Sequence, residues 1–219
     1  MKALAEMDSI ATTLQGACEA VGATLIAVVK GQPNATILAA YNLGIRNFAQ
    51  SYIQEALRCQ DELSDEMPDA RWHFIGRIQS NKTKHLEKGW LRVHSVDRLR
   101  IAKRLGCAEA LIQVRLGGEH SKAGVNPLDL AHFLEELKGQ TELRVRGLMA
   151  LPPPQHQWGK NNYFAELRQL REAMTRLGLL DSEGAELSMG TSADYPLALS
   201  TGATWIRVGS ALLGPRLTR

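Results

Sequence analysis

Short runs of apolar and β-branched residues alternate with longer stretches whose apolar positions recur every three or four residues. The densest run, 24–30, reads Thr-Leu-Ile-Ala-Val-Val-Lys and is too short for a good helix. Further strand candidates fall at 47–51, 71–76, 91–97, 110–116, 143–151, 185–190 and 205–209. Helical stretches fill the spaces, among them 33–43, opened by Pro33-Asn34 and closed by Gly44, then 128–137 and 164–177. A further Ala-rich helix is predicted at 3–21, with Gly22 as its stop. Eight strands separated by seven helices imply parallel β-α-β units. Eight such units imply a single (β/α)8 TIM barrel, here with an extra N-terminal helix. An open doubly wound sheet is the alternative, but the Gly-x-Gly-x-x-Gly turn expected after its first strand is missing. Pro152-Pro153-Pro154 lies between a strand and a helix, so it reads as a loop within one domain spanning 1–219.

Composition changes this picture little. A chain of 219 residues buries a substantial core without staples. The formal net charge of +3 is too small an excess to argue for a nucleic-acid partner. Cys18, Cys59 and Cys107 are odd in number and form no Cys-x-x-Cys pair. That disfavours a disulfide framework or a zinc site and suits a reducing cytosol. Glu6 and Asp8 stand where a signal peptide would be apolar, and no apolar run approaches the roughly 20 residues of a membrane helix. A cytoplasmic, metal-free protein is expected, monomeric because no strongly apolar element is left over.

Three features carry chemistry. With a period of two, Ile26, Val28 and Lys30 share one strand face, and the C-terminal strand ends form the active face of a barrel. A lysine desolvated there has a lowered pKa and is a better amine nucleophile toward a carbonyl; the bland alternative is a surface lysine starting a loop. The last two strand ends carry Gly190-Thr191-Ser192 and Gly209-Ser210. Thr191, Ser192, Gly209 and Ser210 are the small and hydroxyl-bearing residues that let backbone N–H groups meet a phosphate, although each pair alone also reads as an ordinary turn or cap. Arg207 lies inside an apolar strand and needs an acceptor, either an interior carboxylate such as Glu186 or a ring nitrogen of a ligand. Lysine, phosphate cup and arginine together fit pyridoxal phosphate, an aldehyde with a phosphate and a heteroaromatic nitrogen.

The chain also resembles a known family, the single-domain pyridoxal-phosphate homeostasis proteins, related to the barrel half of bacterial alanine racemase. The resemblance runs over nearly the whole chain. It is carried by Trp72-His73-Phe74-Ile75-Gly76, Gln79-Ser80-Asn81-Lys82, His94-Ser95-Val96-Asp97-Arg98, Ser121-Lys122-Ala123-Gly124, Arg146-Gly147-Leu148-Met149-Ala150-Leu151-Pro152, Leu187-Ser188-Met189-Gly190 and Gly202-Ala203-Thr204-Trp205-Ile206-Arg207-Val208-Gly209. It implies pyridoxal 5′-phosphate held as a Schiff base on Lys30, its phosphate on Ser192, Gly209 and Ser210, and Arg207 facing the pyridine nitrogen. It also implies a role in vitamin B6 and amino-acid homeostasis, with pyridoxal-phosphate-dependent enzymes as candidate recipients. The sequence departs from the family around the lysine (Val29-Lys30-Gly31-Gln32-Pro33), after the second strand, where Ser51 replaces an Asn beside the cofactor, and at Thr191.

Three functions follow for testing: a cofactor-binding regulator or carrier, a low-turnover pyridoxal-phosphate enzyme acting on amino acids, and a cofactor-free Schiff-base aldolase. An arginine beside the pyridine nitrogen keeps that nitrogen unprotonated and weakens the ring as an electron sink. Racemisation also needs a second acid/base, which the racemase takes from an added domain. With Arg219 only five residues past Gly214, no such domain is expected here. The binding protein is therefore preferred. Elsewhere, His73 is expected as a hydrogen-bonded core residue. Lys82, Lys84, His85 and Lys88 are expected as a solvated basic face, Lys122 as a loop charge or secondary anion site, and Met149 and Met189 as packing.

Overall fold

The computed structural model describes residues 2–87, 89–106, 108–117, 123–182 and 184–216. Its strands are β1 (Thr24–Val28), β2 (Asn47–Gln50), β3 (Arg71–Phe74), β4 (Arg92–Val96), β5 (Glu109–Val114), β6 (Arg144–Ala150), β7 (Glu186–Ser188) and β8 (Trp205–Val208). They pair in sequence order, all parallel, into the closed barrel that the strand spacing predicts. Closure is made by β1 against β8, with Ile26 beside Arg207 and Ala27 beside Val208. Each strand ends one or two residues earlier than its apolar run, because the last residues turn out of the ladder to build the C-terminal mouth.

The outer layer consists of α1 (Lys2–Glu19), α2 (Asn34–Asn42), α3 (Ile53–Glu62), α4 (Leu99–Ala102), α5 (Leu130–Gln140), α6 (Tyr163–Arg176), α7 (Tyr195–Ser200) and α8 (Ser210–Leu213). The expected N-terminal helix, α1, buries Ala11, Leu14 and Cys18, one face at helical spacing, and packs on β1, α2 and α8. Six α-helices rather than seven separate the strands among the described residues. Between β3 and β4 the chain makes only a 3-10 turn, Thr83–Leu86. Ser80, Asn81 and Thr83 explain this: such side chains compete for backbone groups, and the Thr83 hydroxyl donates to the Ser80 carbonyl at 3.1 Å. The expected basic face lies on this turn, with Lys84 exposed and Lys82 and His85 half-buried. Lys88 lies outside the described residues, as do Cys107, Ser121 and Lys122.

The barrel interior is polar along one seam. At its N-terminal end Arg92 pairs with Glu186 at 2.8 Å and also with Glu109. Above them His73 and His94 are fully buried, their rings 5.1 Å apart. Burial holds both rings neutral, His73 pulled down to about 3 and His94 well below its ordinary value. His73 thus sits in the core, hydrogen-bonded, as expected.

Burial of two neutral histidines predicts a pH dependence. The unfolded rings take up protons below about pH 6.5 and the folded ones do not, so stability falls as pH drops through that value. The loss is expected to reach up to about 1.4 kcal/mol per pH unit for each ring. Urea midpoints measured at pH 7 and at about pH 5 check it; a flat profile would contradict the buried neutral pair.

Candidate functional site

The C-terminal strand ends surround a cavity of about 430 Å³, within the range of small-ligand pockets. All seven residues singled out from the sequence line it: Lys30, Ser51, Thr191, Ser192, Arg207, Gly209 and Ser210. Two glycines shape its walls. Gly76 follows β3 where a Cβ would lie 2.0 Å from the Ser51 carbonyl oxygen, so only glycine lets the chain beyond β3 come this close to the end of β2. Gly190 follows β7 at φ +89°, where a Cβ would strike Ala198 at 2.5 Å.

Lys30 stands two residues beyond β1. The turn that carries it is pinned by Gln32 N–H donating to the Val29 carbonyl at 3.0 Å and Gly31 N–H donating to Glu55 Oε1 at 2.6 Å. The amine is half-buried and its pKa is lowered, first by desolvation, then by the positive charges of Arg216 and Arg207, with Glu55 opposing. Lys30 thus lies half-buried on the cavity wall with a lowered pKa, rather than reaching out into water.

On the same cavity, Ser192 Oγ accepts from Gly209 N–H and Ala211 N–H, each at 3.3 Å. Two backbone amides converging on one oxygen mark a place for an anion. Thr191 borders this cluster, but its hydroxyl donates to Asp194 Oδ1 at 2.9 Å and its N–H to the same oxygen at 2.6 Å, so it shapes the loop. Ser210 is exposed at the start of α8, and Ser51 is half-buried at the end of β2.

Arg207 is 5% exposed. Its Nη1 donates to Ser188 Oγ at 2.7 Å and its Nη2 to the Ala150 carbonyl at 2.9 Å. Glu186, the interior carboxylate considered for it, instead binds Arg92. Glu186 and Arg92 begin their strands at the floor of the barrel, whereas Arg207 lies near the mouth. Among the described residues Arg207 therefore meets only neutral oxygens within hydrogen-bond reach, and burial pulls its pKa down to about 10, with the Asp194 carboxylate opposing from farther away.

Sequence reasoning missed Arg216 and gave Met149 a packing role only. Both line the cavity. Arg216 is exposed beyond α8 and is held over the Lys30 turn, its Cβ 3.6 Å from where a Gly31 side chain would begin. Gln32 Nε2 anchors that segment by donating to the Gly214 carbonyl at 3.2 Å. Nothing in the periodicity marks a residue past the last strand. Among the described residues no group of three His, Cys, Asp or Glu is placed to hold a metal ion. No helix there is long and apolar enough to cross a membrane.

A half-buried lysine, paired amides and a strand-borne arginine at one barrel mouth define a lysine barrel of the kind found in alanine racemases, and the family model "Alanine racemase, N-terminal domain" matches residues 4–216. The chain is 42% identical to a pyridoxal phosphate homeostasis protein of Pseudomonas aeruginosa, over 99% of this chain and 97% of that one. It is 36% identical to PipY of Synechococcus elongatus, solved with pyridoxal phosphate bound; the match has a TM-score of 0.80 and covers 94% of this chain and all of that one. Alanine racemase from Corynebacterium glutamicum shares the fold at 15% identity and TM-score 0.74, with only 60% of that chain covered. The chain belongs to the pyridoxal phosphate homeostasis protein family.

Burial costs Arg207 more than its two neutral acceptors and the Asp194 carboxylate return, and a well-packed apolar group carries no such cost. Arg207→Met is therefore expected to unfold in urea within about 1 kcal/mol of wild type, or later, against the 2–5 kcal/mol loss usual for a truncated core residue. A loss of the latter size would mean that the guanidinium is structural.

Proposed function

We propose that this cavity binds pyridoxal 5′-phosphate, with Lys30 capturing its aldehyde, and that the chain serves as a holder of that cofactor in vitamin B6 and amino-acid homeostasis. The observation that carries the reading is Arg207: a buried cation on the cavity wall whose described hydrogen-bond acceptors are neutral oxygens, lining the same space as Lys30. Its remaining N–H groups suit an unprotonated ring nitrogen, and its charge disfavours protonation of that nitrogen. Ser192, with the amides of Gly209 and Ala211, suits the phosphate at the other end. Lys30 lines the same cavity, its lowered pKa leaving more of the amine unprotonated near neutral pH. When bound, the cofactor supplies an aldehyde carbon that such an amine attacks with loss of water. The P. aeruginosa relative and the PipY complex support the same ligand.

The residues also favour holding over turnover. The Arg207 charge at the ring nitrogen weakens the electron sink on which carbanion chemistry draws. Exchange of amino-acid α-protons into heavy water is expected to stay at background, and sustained exchange that depends on Lys30 would replace this reading with an enzymatic one.

The protein incubated with the vitamer, reduced with borohydride and weighed is expected to carry one phosphopyridoxyl group, on Lys30. Lys30→Ala is expected to carry none and to lose the visible colour. Arg207→Met and Ser192→Ala are expected to weaken binding by about tenfold or more, as charge-assisted bonds are lost. A colourless, unmodified wild type defeats the proposal.

A further inference from the structure

Five polar side chains run in single file across the barrel interior, and only one of them borders the cavity. Arg207 Nη1 donates to Ser188 Oγ at 2.7 Å. Ser188 Oγ lies 2.8 Å from His94 Nδ1, and His94 Nε2 lies 2.9 Å from His73 Nδ1. His73 Nε2 lies 3.2 Å from Asn47 Oδ1. The file links β8, β7, β4, β3 and β2, and all five residues are buried.

The direction of this file follows from its two ends. A guanidinium only donates and an amide carbonyl oxygen only accepts. Each neutral imidazole has one donor and one acceptor nitrogen. Asn47 Oδ1 therefore calls for a proton on His73 Nε2, which leaves His73 Nδ1 bare to accept from His94 Nε2–H. That in turn leaves His94 Nδ1 bare to accept the Ser188 hydroxyl proton. The Ser188 oxygen then turns its lone pairs to Arg207. Each link dictates the next, and reversing any one of them sets two donors or two acceptors face to face.

We propose that His94 and His73 are positioning residues for the ligand end of the cavity: they hold the Ser188 hydroxyl as an acceptor, and through it they aim the Arg207 guanidinium. Its consequence for the ligand rests on the cofactor reading above; the proton order does not. Two side chains that do not line the cavity thus tune a ligand they do not touch. A purely packing role for the same rings makes different predictions.

The first test is nitrogen NMR of the ligand-free protein at neutral pH. Both rings are expected as Nε2–H tautomers, and an Nδ1–H tautomer on either overturns the proton order. The second compares affinity for pyridoxal 5′-phosphate, the visible absorbance of the bound form and Tm across three variants. Ser188→Ala and His94→Leu are expected to weaken binding by about tenfold and to shift the absorbance maximum. His94→Asn places an acceptor near the lost Nδ1. It is expected to recover most of the affinity and the wild-type spectrum while its Tm stays as low as that of His94→Leu. Affinity that simply follows Tm, or equal affinity in His94→Leu and wild type, overturns the positioning role. A wild type that binds no vitamer defeats the cofactor reading and the ligand half of this proposal, while the tautomer result still decides the proton order.

Discussion

The pairing of the first strand with the last is the constraint on which this molecule depends. β1 alone ends in a turn bearing a lysine, and β8 alone is an apolar strand interrupted by an arginine. Parallel pairing with Ile26 beside Arg207 brings the Lys30 turn level with Gly209 and the start of α8. The two ends of the site thus come from opposite ends of the folded chain. Arg216 extends the same junction, because Gln32 of the first loop ties down the carbonyls of Gly214 and Pro215.

The interior carries a cost for this arrangement. A barrel of this kind usually fills its lumen with branched aliphatic side chains. Here the lumen also holds two histidines, a serine, an asparagine and two arginines. Arg92 meets carboxylates at the floor, where Glu109 and Glu186 begin their strands. Among the described residues Arg207 meets none within bonding reach near the mouth. The floor pairs its charge closely within the protein, whereas the mouth sets a guanidinium on the cavity wall with the Asp194 carboxylate only farther away. Buried polar groups of this sort are tolerated when every member has a partner, and the single file from Arg207 to Asn47 supplies one at each step.

Much of the fold was legible because strand runs in a closed parallel barrel are buried on both faces and read as dense apolar segments. Lys30 stood out because alternation put it on the face of Ile26 and Val28, and the glycine-hydroxyl pairs at two successive strand ends stood out by position. Alternation along a strand does not say which residues meet across strands. His94 and Ser188 are separated by 94 positions and touch only because the lumen is narrow. The same blindness made Glu186 seem a partner for Arg207: shared strand faces do not distinguish the floor from the mouth. The turn between β3 and β4 was expected as a helix because its length suits one, although Ser80, Asn81 and Thr83 argue locally against it.

The order of the closing strands bears on how the molecule comes into being. On the ribosome β1 emerges early and waits for a partner some 180 positions downstream, Thr24 facing Trp205. Until that partner docks, the Lys30 ammonium is an ordinary hydrated cation, and neither Arg207 nor Arg216 has yet been made. The surroundings that lower the Lys30 pKa are thus assembled only once β8 has been made and has docked. Polypeptides that have not yet reached β8 lack this cavity altogether.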